Sequence, residues 1–445
     1  MVSFDSILSA IITLLLIESG VIMFTTFPEI EDFFNSRKAF GIKPGLDRIH
    51  RLLALLNHPE KSAPAIHVAG TNGKGSTIQF IKNALQANGY KVGVFTSPSL
   101  TGLTGHMKLN DSEITEQLFV DLCNELYPHV IQLDQENDPP TEFEMITALA
   151  FLYFSERVDI ALIEAGMGGR EDTTNCFQPI LSIITNVAKD HTAFLGNSIS
   201  EIAYQKAGII KTGAPVVVGH LETEAFTVIK AEAEKHYTPV YQLGKDVIYN
   251  HNQGQSMTWY SKERTVHLKL LMYGDYQFQN AALALMALEK LNDAGYQISF
   301  SKASPAIEQT RLAGRFEIVN KNPLIILDGA HNPAGVAAFI KTVNEHFAEK
   351  DKQLLVAVFK DKELDAMLEQ LSTSFTSITL TTFQHPRAAK AVDLYRLAPA
   401  KQKRIAADWK QEVNQILQGK GNGVWFITGS LNFISLVREY IFSRN

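Results

Sequence analysis

The sequence predicts an α/β protein: a large domain with a mostly parallel sheet and a small antiparallel patch, then a smaller C-terminal Rossmann-like α/β domain. Three observations carry that expectation. The chain has 445 residues, more than one ordinary core accommodates. Short apolar runs alternate with stretches of helical period, both before and after about Arg315. And an apolar run at residues 65–69 leads through a glycine-rich turn, Gly70-Thr71-Asn72-Gly73-Lys74-Gly75-Ser76-Thr77, into a helical pattern over residues 75–88 with Ile78, Ile81 and Leu85 on one face.

Composition narrows the class. The chain is 45% hydrophobic and 20% charged with a net charge of −6, so no basic excess argues for nucleic acid. Cys123 and Cys176 form neither a disulfide framework nor a metal spacing and read as structural residues of a reducing, cytoplasmic compartment. Residues 7–17 are almost wholly apolar but too short to span a bilayer, and no Lys or Arg precedes Arg37. Residues 1–22 therefore read as an extension from a start-site artefact, with a membrane anchor as the alternative.

Taken in order, residues 27–57 are helical in pattern, with Phe33, Phe34, Ile49, Leu52, Leu53 and Leu56 as core positions around a break at Lys43-Pro44-Gly45. After the glycine turn and its helix, residues 91–95 read as a strand ending at Thr96-Ser97-Pro98-Ser99. Loops at the carboxyl ends of strands in an open α/β sheet gather around a ligand, so Ser97-Pro98 is a candidate substrate wall, with a plain turn as the alternative. Residues 115–127 form an amphipathic helix, residues 132–140 a polar loop, and residues 141–157 a helix whose first turn holds Glu142 and Glu144, ordinary complements of a helix dipole. Residues 158–163 and 181–185 are buried strands, the first ending at Glu164 and a glycine cluster, the second leading to Asp190-His191. A short helix over residues 200–211 carries Lys206, and a strand follows at residues 215–218. Residues 240–271 alternate in short segments, the antiparallel patch, before an alanine-rich helix at residues 277–294. The polar stretch 301–314 reads as the linker. Strands at residues 324–327, 354–358, 377–380 and 424–428, with helices between them, make the second parallel unit.

The glycine turn explains itself chemically. Glycines let backbone N–H groups converge on an anion, the helix start offers its positive end, and Lys74 adds a mobile charge: a phosphate cradle. Its spacing departs from G-x-x-x-x-G-K-[ST], because Thr71 and Asn72 alone separate Gly70 from Gly73 and Gly75 precedes Ser76. A nucleotide site is all that this stretch implies by itself; kinases, ATPases and switches share it.

Taken together, the motifs resemble the folylpolyglutamate synthases among the Mur-type ATP-dependent amino-acid ligases, from Phe27 onward. They are Pro44 to Ile49, His67 to Thr77, Thr96-Ser97-Pro98, Thr141 to Ala148, Glu164 to Asn175, Asp190-His191, Lys206 to Lys211, Gly274 to Asn280, Asp328-Gly329-Ala330-His331-Asn332-Pro333, Pro386-Arg387-Ala388 and Thr428 to Leu431. The resemblance implies an α/β protein of two domains, a nucleotide- and folate-binding domain at 23–308 and a glutamate-ligase domain at 309–445. It implies ATP-dependent addition of L-glutamate to the γ-carboxylate of a folate through an acyl phosphate, by a monomer that needs no nucleic acid or membrane. It further implies that Thr71, Asn72, Gly73, Lys74, Gly75, Ser76 and Thr77 hold phosphate, with Asn280, Arg315 and Asp328 also on ATP. Two Mg²⁺ ions are implied, one on Ser76 with Glu144 and one on His191. Lys206 matches a position that can be carbamylated to support metal, and the family leaves room for a monovalent cation. Asp328 and His331 would act from the small domain, and Ser97, Pro98, His331 and Ser430 would meet substrate. Catalysis is then assigned to Lys74, His191, Lys206, Asp328 and His331.

Five positions depart from the family pattern: Ser99 for His, Gly105-His106 for a Glu-Arg pair, Gln205 for Glu and Tyr276 for His. The last two are shared with lactic-acid-bacterial members, which implies folate extension alone rather than an added dihydrofolate synthase activity. A non-ligating ATP switch is the alternative from another class.

Overall fold

The computed structural model describes residues 24–419 and 423–444. The expectations for residues 1–22 lie outside the described residues.

Eight strands form the first sheet: β1 (Ala65–Ala69), β2 (Val92–Phe95), β3 (Met107–Leu109), β4 (Ser112–Glu113), β5 (Ile160–Glu164), β6 (Leu181–Ile184), β7 (Val216–Val218) and β8 (Val240–Gln242). Their order is β4-β3-β2-β5-β1-β6-β7-β8, parallel from β2 to β8 and antiparallel at β3 and β4. Every residue of β1 and β5 is buried, as a central parallel strand covered on both faces requires. Alternation sorts their side chains. Ile66, Val68, Ile160 and Leu162 enter a core shared with the Lys74–Ala87 and Asp275–Asp293 helices. Ala65, Ala161 and Ile163 face the opposite core, built with the Phe27–Arg37, Asp47–Leu55, Glu116–Gln135 and Glu142–Phe154 helices.

Three antiparallel strands, β9 (Ile248–His251), β10 (Ser256–Tyr260) and β11 (Thr265–Lys269), make the small patch, and its Trp259 is fully buried with the Asp275–Asp293 helix, donating Nε1–H to Ala282 O at 3.1 Å. The third sheet runs β12-β13-β17-β14-β15-β16, from β12 (Glu317–Lys321), β13 (Leu324–Leu327), β14 (Lys352–Val356), β15 (Ser377–Leu380), β16 (Lys403–Ile405) and β17 (Val424–Thr428). It is parallel except for β12, an edge strand antiparallel to β13.

Four readings of the sequence are corrected. Residues 301–314 are not a free linker: Phe300–Glu308 is a helix whose Ala303 and Ile307, spaced i to i+4, are buried against the Lys74–Ala87 helix. Residues 240–242 belong to the main sheet as β8, parallel to β7, because the unread Thr223–Lys235 helix supplies the crossover. The Glu116–Gln135 helix continues through Pro128 into the expected loop, held by buried Val130 and Leu133. In the last unit, β12, β16 and the Ala391–Leu397 and Trp409–Gln418 helices were not foreseen; their segments are short or polar on one face.

Among the described residues no helix is long and apolar enough to cross a membrane. Cys123 and Cys176 are both buried and unpaired in a disulfide, and burial pushes both thiols up.

Candidate active site

Between β1 and its helix the chain turns sharply, with Gly70 at φ 149° and Gly73 at φ 86°. A Cβ at either position would strike Thr185 or Asn280, so these two glycines serve close approach as well as turn geometry. Asn186, just past β6, accepts from the Thr71 and Asn72 amides at 3.1 and 2.8 Å and so fixes the first half of the loop. Thr185 Oγ1 donates to Asn72 O at 2.6 Å. The helix begins at Lys74, whose first N–H groups have no partner within the helix.

A cavity of about 370 Å³ opens over this turn. The first sheet contributes Gly70 to Ser76, the Ser97-Pro98 loop, Glu164, Asp190, His191 and Lys206 to its wall, and the Asp275–Asp293 helix contributes Asn280. From the side of the third sheet come Arg315, Asp328, His331 and Leu431. Most residues singled out in the sequence are thus brought into one space.

Three are not. Thr77 and Ser430 are fully buried outside the cavity wall. Glu144 also lies off the wall. Its Oε2 accepts from the Thr141 amide at 2.7 Å and from Thr141 Oγ1 at 2.8 Å, a capping box, while Arg48 Nε sits 3.1 Å from its Oε1. The acid that does lie on the wall, beside the phosphate loop, is Glu164. β5 lies beside β1 with Glu164 opposite Val68, so its carboxylate leaves the sheet where the phosphate loop begins. Lys74 Nζ is 3.9 Å from Glu164 Oε1 and donates to Gly70 O at 3.1 Å. Burial pushes the Glu164 carboxyl up, and Lys74 and Arg315 pull it back down. Its signal was present in the sequence: an acid closing the strand after a buried apolar run, next to a glycine cluster.

His191 stands at φ 51°, the left-handed region, at the turn after β6. Burial, then the positive charges of Lys362, His331 and Lys74, outweigh the pull of Asp190 and lower its pKa to about 4, so its imidazole is neutral at pH 7 with a lone pair to offer. Lys206 is buried, and desolvation together with Lys74 lowers its pKa to about 7. Asp328, closing β13, accepts from the Phe316 and Ala330 amides at 2.9 Å each; burial pushes its carboxyl up. His331 Nδ1 lies 2.8 Å from Gly329 O, leaving Nε2 directed at the junction, 3.5 Å from Asp190 Oδ2.

A second cavity of about 230 Å³ adjoins the first, sharing Ser97, Gly166, Met167, His191 and Leu195. Phe143, Ile42, Pro44 and Phe194 give it an apolar part, beside Lys43, Glu171 and Asp172.

Among the described residues no group of three His, Cys, Asp or Glu is assembled for a metal. The donors on the wall, the Ser76 hydroxyl, the Glu164 carboxylate and the neutral His191 imidazole, suit an ion that takes its other ligands from phosphate and water, as Mg²⁺ does at phosphoryl-transfer sites.

Comparison with known proteins agrees with this geometry. The Mur ligase middle domain matches residues 68–288 and the Mur ligase glutamate ligase domain residues 314–431. The chain belongs to the Mur ligases, enzymes that couple ATP to the ligation of an amino acid. Within them it belongs to the folylpolyglutamate synthases. The dihydrofolate synthase/folylpolyglutamate synthase of Bacillus subtilis is 40% identical over 94% of this chain and 99% of its own. The folylpolyglutamate synthase of Lacticaseibacillus casei is 31% identical over 88% of this chain and 93% of its own. Among solved structures, the folylpolyglutamate synthase of Thermotoga maritima superposes with a TM-score of 0.82 at 31% identity, covering 94% of this chain and 97% of its own. E. coli FolC in complex with DHPP and ADP gives 0.86 at 26%, covering 94% and 98%. The expected leaning towards the lactic-acid-bacterial members finds no support in these identities.

Proposed function

We propose that the protein adds L-glutamate to the γ-carboxylate of tetrahydrofolate or a folylpolyglutamate, consuming ATP and releasing ADP and phosphate. The observation that carries this reading is one cavity in which the phosphate loop faces Asp328 and His331 from the opposite sheet. A γ-carboxylate oxygen attacks the γ-phosphorus, the bond to ADP breaks, and an acyl phosphate forms. The glutamate amine then attacks the acyl carbon, phosphate leaves, and the amine gives up its proton. Both steps depend on neutralising charge and holding partners in line.

Lys74 and the amides of Gly73 to Ser76 are assigned to the β- and γ-phosphates, the Thr71 and Asn72 amides being taken by Asn186, and Asn280, Arg315 and Asp328 are assigned to the rest of the nucleotide. Ser76, Glu164 and His191 are assigned as the residues that would hold Mg²⁺, which when bound neutralises the transferring phosphoryl oxygens. Glu164 replaces Glu144 in that assignment. Lys206 suits carbamylation, since a lysine with a pKa near 7 offers a neutral amine to CO₂ at neutral pH, and the product is an anion beside Lys74. Ser97 lines both cavities and Pro98 the larger one, and the folate ring is assigned to the smaller cavity with its glutamyl end in the larger space. His331 is assigned to the incoming glutamate. Residues 23–308 and 309–445 are taken as the two domains, the protein as a cytoplasmic monomer, and a monovalent cation as a further candidate ligand.

The test is ADP release with Mg²⁺, glutamate and a panel of acceptors including dihydropteroate and reduced folates. Longer folates are expected. No ADP with any folate would overturn the assignment, and turnover with dihydropteroate would add the second activity that the Bacillus subtilis relative's name carries. His331→Ala separates the ligase from an ATP switch: ATP binding is kept and ligation lost in the first case only.

A further inference from the structure

One buried carboxylate on the cavity wall has no part in this chemistry, yet it bonds to several groups across the junction of the two large sheets. Asp190 sits in the loop after β6. Its Oδ1 accepts from Lys362 Nζ at 2.6 Å and from the His191 amide at 2.8 Å. Its Oδ2 accepts from Asn332 Nδ2 at 3.0 Å, with His331 Nε2 at 3.5 Å. Lys362, His331 and Asn332 all belong to the third sheet's unit: two follow β13 and one follows β14. Asn332 also exchanges hydrogen bonds with Asn72 of the phosphate loop, at 3.1 and 3.3 Å.

The side chains of Asp190 and Lys362 are 8% and 6% exposed. Two charges so far out of water persist only as partners, and separation would leave each uncompensated unless the junction opened to solvent. Lys362 does not line the cavity, so its charge is spent on Asp190 rather than on a phosphate.

We propose that Asp190 and Lys362 are a positioning pair, a latch across the junction that sets His331 and Asn332 over the phosphate loop. The inference rests on the ligase reading, in which both halves of the site must meet before the acyl phosphate is used. The pair forms in the arrangement that also makes the Asn72–Asn332 bonds, so its formation reports completed closure. When the units part, water solvates both charges and His331 leaves the cavity.

The experiment compares the full-length wild type with Lys362→Met, Asp190→Asn and the double variant, each checked for folding by thermal denaturation. Three quantities are read: affinity for a fluorescent ATP analogue, kcat for ADP release at saturating substrates, and the radius of gyration by solution scattering with a non-hydrolysable ATP analogue. Lys362→Met is expected to lower kcat about tenfold or more while ATP affinity stays within about threefold, because the coupling acts on the junction and not on the nucleotide. The double variant is expected to be no worse than the poorer single variant, and the variants are expected to stay more expanded than the wild type. Lys362→Arg, which keeps the charge, is expected to recover part of kcat; should Lys362→Met fold poorly, Lys362→Gln gives the same comparison. Wild-type kcat in Lys362→Met, or losses that multiply in the double variant, overturns the latch. A wild type that releases no ADP with any folate overturns the ligase reading instead, and the scattering comparison still decides the latch.

Discussion

Lys74 Nζ and Glu164 Oε1 stand 3.9 Å apart at the ends of two adjacent parallel strands, one leading into the phosphate loop and the other ending beside it. The lysine is short of a close ion pair and also holds Gly70 O, a disposition that leaves the ammonium free to swing to a phosphate. Lys74→Ala is therefore expected to lower kcat by at least ~10²-fold, since a charge placed on a developing phosphoryl transition state contributes a few kcal/mol. Steady-state ADP release measures it, and wild-type turnover contradicts the role.

Two glutamates can be told apart by substitution. Glu164→Gln is expected to cost at least ~10²-fold in kcat and to raise the Mg²⁺ concentration needed for half-maximal activity, with little change in melting temperature. Glu144→Gln should do the opposite: it loses the Arg48 ion pair and weakens a helix cap, costing about 1–3 kcal/mol of stability with the Mg²⁺ dependence unchanged. A shifted Mg²⁺ requirement in Glu144→Gln would return the metal to it.

Lys206 provides a chemical test. Because burial first and Lys74 second depress its pKa to about 7, the amine is deprotonated enough at neutral pH to react with CO₂. Activity is expected to fall in CO₂-depleted buffer and to return with bicarbonate, and isotopically labelled bicarbonate should give a carbamate carbon signal that Lys206→Arg abolishes. Activity indifferent to CO₂, with no such signal, removes carbamylation from the account.

Stability should respond to pH through His67. It is wholly buried on β1 against Thr174 and Phe177, and burial, with Lys211 second, lowers its pKa from 6.5 to about 3. Above 6.5 it is neutral folded or unfolded and the full stability is present. Below that, the unfolded chain binds the proton first, so stability declines as pH falls towards 3, by about 2 kcal/mol between pH 7 and pH 5. Urea unfolding of His67→Gln should lack that part of the decline. An equal slope in wild type and variant would assign the decline elsewhere.

Much of this was legible in the chain itself. The strands at Ala65–Ala69, Leu324–Leu327, Ser377–Leu380 and Val424–Thr428 have the expected bounds, because buried strands of a parallel sheet are short apolar runs closed by glycine or polar residues. The phosphate loop was legible for a similar reason: its geometry is made by local residues, two glycines at positive φ and a lysine at the helix start. Tertiary structure decided which acid faces the loop. Glu144 opens a helix and Glu164 closes a buried apolar run, but only the fold shows that a capping box and Arg48 hold the first while the β5–β1 register carries the second to the cavity. It alone decided the partner of Asp190 as well. Lys362 is 172 residues away, and no local pattern announces a pair that exists only where two separately wound sheets meet.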